Sequence, residues 1–264
     1  MYHDIYREIV HLADGGESAA LATVISVEGS TPREEGAKML VYNDGHILGT
    51  VGGGNIEKQV IQEALSVIKN GKPKKIAYRL SPQGELGMVC GGDTEVFIES
   101  ITGAPSLFIF GAGHIGVPLT KMASITDFKV TIIDDRPEYA TAAHFPEAAE
   151  VIVSDFATSF DKIRVSAEGF IVIVTHGHKG DEIVLASALQ TPARYIGMIG
   201  SKSKNEAVFG HLLSQGFTQH DLSRVHAPIG LPIRAQTPEE IAVSILSEII
   251  QVRRGDHGAE SRTA

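Results

Sequence analysis

A short apolar run, Leu107–Phe110, leads straight into Gly111-Ala112-Gly113-His114-Ile115-Gly116, and this junction constrains the fold more than any other stretch of the chain. A strand that ends in a G-x-G-x-x-G turn and opens a helix is the start of a βαβ unit built to approach a phosphate. Gly111 permits the tight turn, Gly113 lets backbone come close to a pyrophosphate, and Gly116 lets helix and strand pack closely. The free N–H groups and positive dipole end of the helix then favour an anion. Asp134 lies 23 residues after Gly111, at the end of the next apolar run. There it could accept from a ribose 2′-hydroxyl, which argues against a 2′-phosphorylated ligand. The other reading is that the glycines serve only strand–helix packing. The full strand–turn–helix–strand–acid context favours the ligand.

The surrounding pattern extends this unit. Apolar runs at Leu107–Phe110, Lys129–Ile133, Glu150–Val153, Phe170–Thr175 and Tyr195–Ile199 are separated by crossover stretches. Five such runs predict a parallel, doubly wound Rossmann sheet. A final helix is predicted from Pro238 to Val252, with Thr237 as N-cap, Pro238 at the first position and Glu240 at N3. Upstream the pattern differs. A helix over 4–13 precedes a strand at Leu21–Val27, and Asn43-Asp44-Gly45 marks a hairpin between Lys38–Tyr42 and His46–Val51. Gly52-Gly53-Gly54 opens a helix to Asn70, followed by strands at Lys75–Leu80 and Thr94–Glu99. Strands around one helix predict a smaller α+β domain. Thr102-Gly103-Ala104-Pro105 is the linker candidate, so the expected domains are 1–103 and 104–264.

Composition narrows the function classes. The net charge of −9 comes without a Lys/Arg-rich run, which speaks against nucleic acid as a partner. No apolar stretch approaches the ~18 residues of a membrane span. Asp4, Arg7 and Glu8 interrupt the beginning of the chain where a secretory leader needs an apolar core. With one cysteine, Cys90, no internal disulfide can form, and a cytoplasmic location is expected.

In an open α/β sheet, ligands lie beyond the carboxyl ends of the strands. Those ends carry Asp134-Asp135-Arg136, Ser154-Asp155, Thr175-His176-Gly177-His178-Lys179-Gly180-Asp181 and Gly200-Ser201-Lys202-Ser203-Lys204. His176, His178 and Asp181 have metal-ligand or acid–base chemistry. Three such groups in one loop are more simply pocket lining and a helix cap, so no metal is assigned. Ser201, Lys202 and Lys204 could hold phosphate or could be a cap and a solvated face. In the first domain, Gly52–Gly54 and Gly91-Gly92 could turn amides toward an anion. Taken alone, Cys90 reads as a buried structural residue before it reads as a metal- or sulfur-handling thiol.

Together these segments resemble the XdhC/CoxI family, accessory proteins of molybdenum hydroxylases such as xanthine dehydrogenase. The resemblance rests on 22–33, Gly49-Thr-Val-Gly-Gly-Gly-Asn-Ile-Glu57, 87–99, Phe110–Gly116, Asp134–Ala140, Thr175–Asp181, Ala193–Lys202, Pro228–Leu231 and Thr237–Ala242, and covers nearly the whole chain. It implies a molybdenum cofactor, a molybdopterin, bound by a Rossmann domain, in a chain that is often a homodimer. It also implies help in cofactor sulfuration with a cysteine desulfurase, and delivery to an apo molybdenum hydroxylase. Cys90 matches the family's Cys-Gly-Gly position, which reverses the order of its two readings. Two positions depart from the family pattern. Asn55 stands where many members have Cys, and Arg234 where many have Gly. A maturation chaperone is therefore expected rather than a catalyst. One thiol cannot hold the iron–sulfur clusters of a complete xanthine dehydrogenase. The competing expectation, from Gly111–Gly116 and Asp134 alone, is a small NAD-dependent oxidoreductase with His176 or His178 as its acid–base group. A nucleotide-sensing regulatory module is the third.

Overall fold

The computed structural model describes residues 2–79 and 92–255. It divides into two compact units, Met1–Gly103 and Ala104–Ala264. The first begins with helix α1 (Tyr2–Gly15), whose Ile5 and Leu12 are buried against Ala19, Leu21 and Leu40. A five-stranded antiparallel sheet follows, formed by β1 (Ser18–Glu28), β2 (Lys38–Tyr42), β3 (Ile47–Gly49), β4 (Lys74–Arg79) and β5 (Asp93–Thr102) in the order β3-β2-β1-β5-β4. The Asn43–Gly45 hairpin forms as its sequence predicts, with Gly45 at φ 85°. Helix α2 (Gly54–Asn70) lays Ile56, Val60, Ala64 and Val67 on the sheet, the apolar row read from their helical spacing. Gly71, at φ 64°, ends it with a left-handed cap.

The second unit is the parallel, three-layer sheet that the alternating runs predict. Its strands are β6 (Ser106–Phe110), β7 (Lys129–Asp134), β8 (Glu150–Val153), β9 (Phe170–Ile173), β10 (Tyr195–Met198) and β11 (Val225–His226), in the order β11-β10-β9-β6-β7-β8. The two-residue β11 was beyond what periodicity could show, because so short a run has no period. Helices α3 (Gly116–Ile125) and α7 (Pro238–Arg254) cover one face, with Leu119, Ala123, Ala242, Ile245 and Ile249 against Leu107, Ile109, Val130 and Phe170. Helices α4 (His178–Leu189), α5 (Lys202–Ser214) and the short α6 (Gln219–Leu222) cover the other. Strands β6, β9 and β10 are buried from end to end apart from Ser106, so they read as continuous apolar runs. Thr237 and Glu240 form the reciprocal cap at the start of α7 that their spacing predicts. Among the described residues, no helix is long and apolar enough to cross a membrane.

The chain runs outward from β6 through β7 to β8, then returns to place β9 on the other side of β6. The order therefore reverses at the β6–β9 seam. Its carboxyl ends, Phe110-Gly111 and Val174–His178, form the switch point where doubly wound sheets receive ligands.

Candidate functional site

The three glycines after β6 do different work. A Cβ on Gly111 would lie 2.2 Å from Val174 O, and one on Gly116 would lie 2.2 Å from Gly111 O. Both are packing glycines that seat α3 and β9 against the turn. Gly113 is different: a Cβ there would meet nothing within 4 Å, and the same holds for Gly177 across the seam. These two backbone positions border open space. The first backbone bond into α3 runs from Val117 N–H to Gly113 O at 3.3 Å. Gly111 N–H is taken by Ile133 O and Ala112 N–H by Asp134, so the amides from Gly113 to Gly116 are the ones a helix start leaves free for an anion. No side chain caps α3 or α4, whereas Ser201, Thr218 and Thr237 cap α5, α6 and α7. His114 is exposed.

Asp134 is turned inward. Its carboxylate accepts from Ala112 N–H at 2.7 Å, Arg136 N–H at 3.0 Å, and Arg136 Nε and Nη2 at 2.8 and 2.9 Å. The side chain has no exposed surface. Burial alone would raise this carboxyl, but the Arg136 guanidinium and the two backbone donors outweigh it and hold it below the usual carboxylate range. Asp134 thus ties the glycine turn to the end of β7, and the ribose-acceptor role read from its spacing has no free lone pair. The guanidinium of Arg136 also stacks on Tyr139, 4.1 Å from the ring centroid. Arg136 stands among the strand-end groups of the sequence, but its role as the partner of Asp134 emerges only in the fold. An arginine two positions after the acid was the available signal.

The His176, His178 and Asp181 set does not converge. Asp181 is fully buried and accepts from Thr175 Oγ1 at 2.7 Å, Thr175 N–H at 3.2 Å and Lys204 Nζ at 2.7 Å. It anchors α4 to α5, and it also spends the lysine that was a phosphate candidate. His176 points toward β7, with Nδ1 3.7 Å from Asp135 Oδ1. His178 turns to the other side and lines a cavity of about 670 Å³ between α4 and α5, with Lys179, Glu182, Ser201, Ser203 and Lys204. Ser201 accepts from Lys204 N–H as the α5 cap, and Lys202 is exposed in that first turn. Among the described residues, the one group of three metal-type side chains is Asp134, Asp135 and His176, whose ligand atoms lie within 4.8 Å of one another. The guanidinium on Asp134 already supplies a cation there, which disfavours a second.

In the first unit, the Gly52–Gly54 turn has all three residues at positive φ. Two of its amides are engaged internally: Gly53 N–H donates to Glu57 Oε1 at 3.0 Å and Gly52 N–H to Thr50 Oγ1 at 3.2 Å, while Thr50 Oγ1 also donates to Glu57. A carboxylate of the chain itself fills the place foreseen for an external anion. Gly92 is buried, and a Cβ on it would lie 2.5 Å from Glu28 O. Cys90 and Gly91 lie outside the described residues.

Comparison with known proteins agrees with this architecture. The family model of the XdhC Rossmann domain matches residues 107–249, and that of the XdhC and CoxI family matches 12–79. The chain belongs to the XdhC and CoxI family. It is 31% identical to the uncharacterized protein YqeB of Escherichia coli over 97% of its own length, but spans only 47% of that relative. It is 23% identical to the molybdenum cofactor insertion chaperone PaoD of Escherichia coli, covering 96% of this chain and 89% of that one. Among solved structures, a Bacillus halodurans chain described as a xanthine dehydrogenase matches over 97% of both chains, with a TM-score of 0.53 and 27% identity. The Rossmann architecture and the family expected from the motifs are thus both borne out.

Proposed function

We propose that this family member is an accessory factor that binds the molybdenum cofactor and assists its sulfuration and insertion into a molybdenum hydroxylase of the xanthine dehydrogenase type. One observation carries the reading. At the β6–β9 switch point, two uncapped helix starts flank backbone at Gly113 and Gly177 that faces open space. Such a place favours a phosphate through the amides that open α3 and the positive ends of two helices, although Gly177 N–H itself donates to Thr175 Oγ1 at 3.4 Å. Molybdopterin carries a phosphate at one end, so the residues present fit the group. The kinship with PaoD supports the choice of ligand. The cofactor itself supplies the molybdenum centre. The chain holds and orients the phosphate end at Gly113, with His114, His176, His178, Ser201 and Lys202 as polar groups along the same strand ends. Cys90, followed by Gly91 and Gly92, is the thiol that would take part in sulfuration with a cysteine desulfurase. The recipient apoenzyme and a homodimeric state belong to the same proposal.

The test is an anaerobic thermal-shift titration with molybdopterin and with NAD, on the wild type and on Gly113→Val. A ligand that binds only the folded state raises the melting temperature. Molybdopterin should stabilise the wild type. Gly113→Val, which fills open space, should fold normally and bind at least ~10-fold more weakly, the loss of ~1.4 kcal/mol expected when backbone can no longer reach the ligand. Stabilisation by NAD with none by molybdopterin would replace this reading with the oxidoreductase.

A further inference from the structure

The turn after β7 carries two successive acids with opposite fates. Asp134 receives four donors, which fills the roughly four lone-pair sites of a carboxylate. The Asp135 side chain is 38% exposed, and its nearest side-chain nitrogens are His176 Nδ1 at 3.7 Å and Arg136 Nε at 3.9 Å, both beyond hydrogen-bond length. It keeps its acceptor capacity for something outside the chain. Its position is defined. Its ligand atom, that of His176 and that of Asp134 lie within 4.8 Å of one another, and Asp134 in turn touches the Ala112 amide beside Gly113. An exposed carboxylate therefore stands on the rim of the anion-favouring turn.

We infer that Asp135 is the residue that reads the neutral end of the ligand. It would accept hydrogen bonds from hydroxyl, amino or ring N–H donors while the Gly113 turn holds the phosphate. The inference rests on the cofactor-binding reading above and narrows it. A carboxylate repels phosphate and cannot donate, so the ligand must offer a donor edge close to its anionic end. A pterin with an exocyclic amine, or a sugar diol, meets that requirement. A ligand with a second phosphate at this point does not. His176 Nδ1 and Arg136 Nε both lie close to Asp135 without donating a hydrogen bond to it, so its oxygens stay open to donors from a ligand. The Arg136 guanidinium, a fixed positive charge beside both acids, also makes a cation an unsuitable occupant.

The experiment measures affinities of the wild type and Asp135→Ala for inorganic pyrophosphate, molybdopterin and Mn²⁺, by anaerobic calorimetry. Pyrophosphate reports the glycine turn alone. Asp135→Ala should bind it as well as the wild type or better, because a nearby negative charge is gone. The same variant should lose about 10- to 100-fold in affinity for molybdopterin, the loss expected for a hydrogen bond to a charged acceptor. Because Asp135 is exposed, an unchanged melting temperature is the fold control. Equal molybdopterin affinity in both proteins, with pyrophosphate still bound, overturns the inference and leaves the cofactor reading standing. Failure of the wild type to bind either phosphorylated probe overturns both. Mn²⁺ binding to the wild type that Asp135→Ala abolishes would make the pair a cation site and overturn the inference by itself.

Discussion

The two glycine-rich turns look alike as text and end differently. Gly52–Gly54 and Gly111–Gly116 each stand before a helix that covers a sheet. In the first, Glu57 reaches back from the opening of α2 and takes the Gly53 amide. In the second, the acid that reaches the turn, Asp134, takes only the Ala112 amide, and Arg136 neutralises it. One turn carries its own anion at its mouth. The other leaves Gly113 facing open space with a guanidinium behind it. Glycine content does not make an anion site, because the amides must also lack an internal acceptor.

The largest expected effect breaks the packing half of this comparison. Gly116→Ala places a methyl group 2.2 Å from Gly111 O, a rigid backbone atom. It should destabilise the second unit by about 3 kcal/mol, the upper end for overpacking. Calorimetry would read a melting temperature lower by roughly 6–12 °C. A near-neutral result would mean that the turn has slack and that its glycines are not held by packing.

Next comes the internal pair. Asp134→Asn should cost about 2–3 kcal/mol, below the ~3–5 for breaking a fully buried pair, because Arg136 remains partly exposed. The sign with pH follows from the direction of the shift. The folded carboxyl sits below its unfolded value, so its stabilisation is complete above that value, ~3.9, and fades as pH falls through the folded one. Urea titrations of both proteins should differ fully at neutral pH and converge in acid. A gap that is constant with pH would show that the charge of Asp134 is not what ties the turn to β7.

The smallest effect probes the first turn. Glu57→Gln keeps the reach but removes the charge from the bond to Gly53, and should cost about 1 kcal/mol in urea unfolding. Unchanged stability would mean that the carboxylate does not hold that turn, and the contrast with the second unit would lose its basis.

Much of the architecture was legible because it rests on local rules. Ile56, Val60, Ala64 and Val67 mark α2 by helical spacing, Asn43-Asp44-Gly45 marks its hairpin, and the Thr237–Glu240 box marks the start of α7. The parallel sheet follows from apolar runs separated by crossovers. Arg234 carries a quieter signal: it sits at φ 62°, where the family's glycine would be unstrained, and only the backbone angle explains that preference.

Sequence by itself determined the two kinds of sheet, the extent of α2, the start of α7 and the switch point, because periodicity, turn chemistry and capping act over a few residues. Tertiary structure alone decided which polar groups are spent and which are free. Asp134 and Asp135 are adjacent and chemically identical, yet one is consumed by Arg136 and Ala112 while the other meets solvent. Lys204 and Ser201 share a helix start, yet the lysine is committed to Asp181 from a different strand–helix junction. A carboxylate's availability depends on which donors the folded chain brings within about 3 Å, and those donors come from elements far apart in sequence.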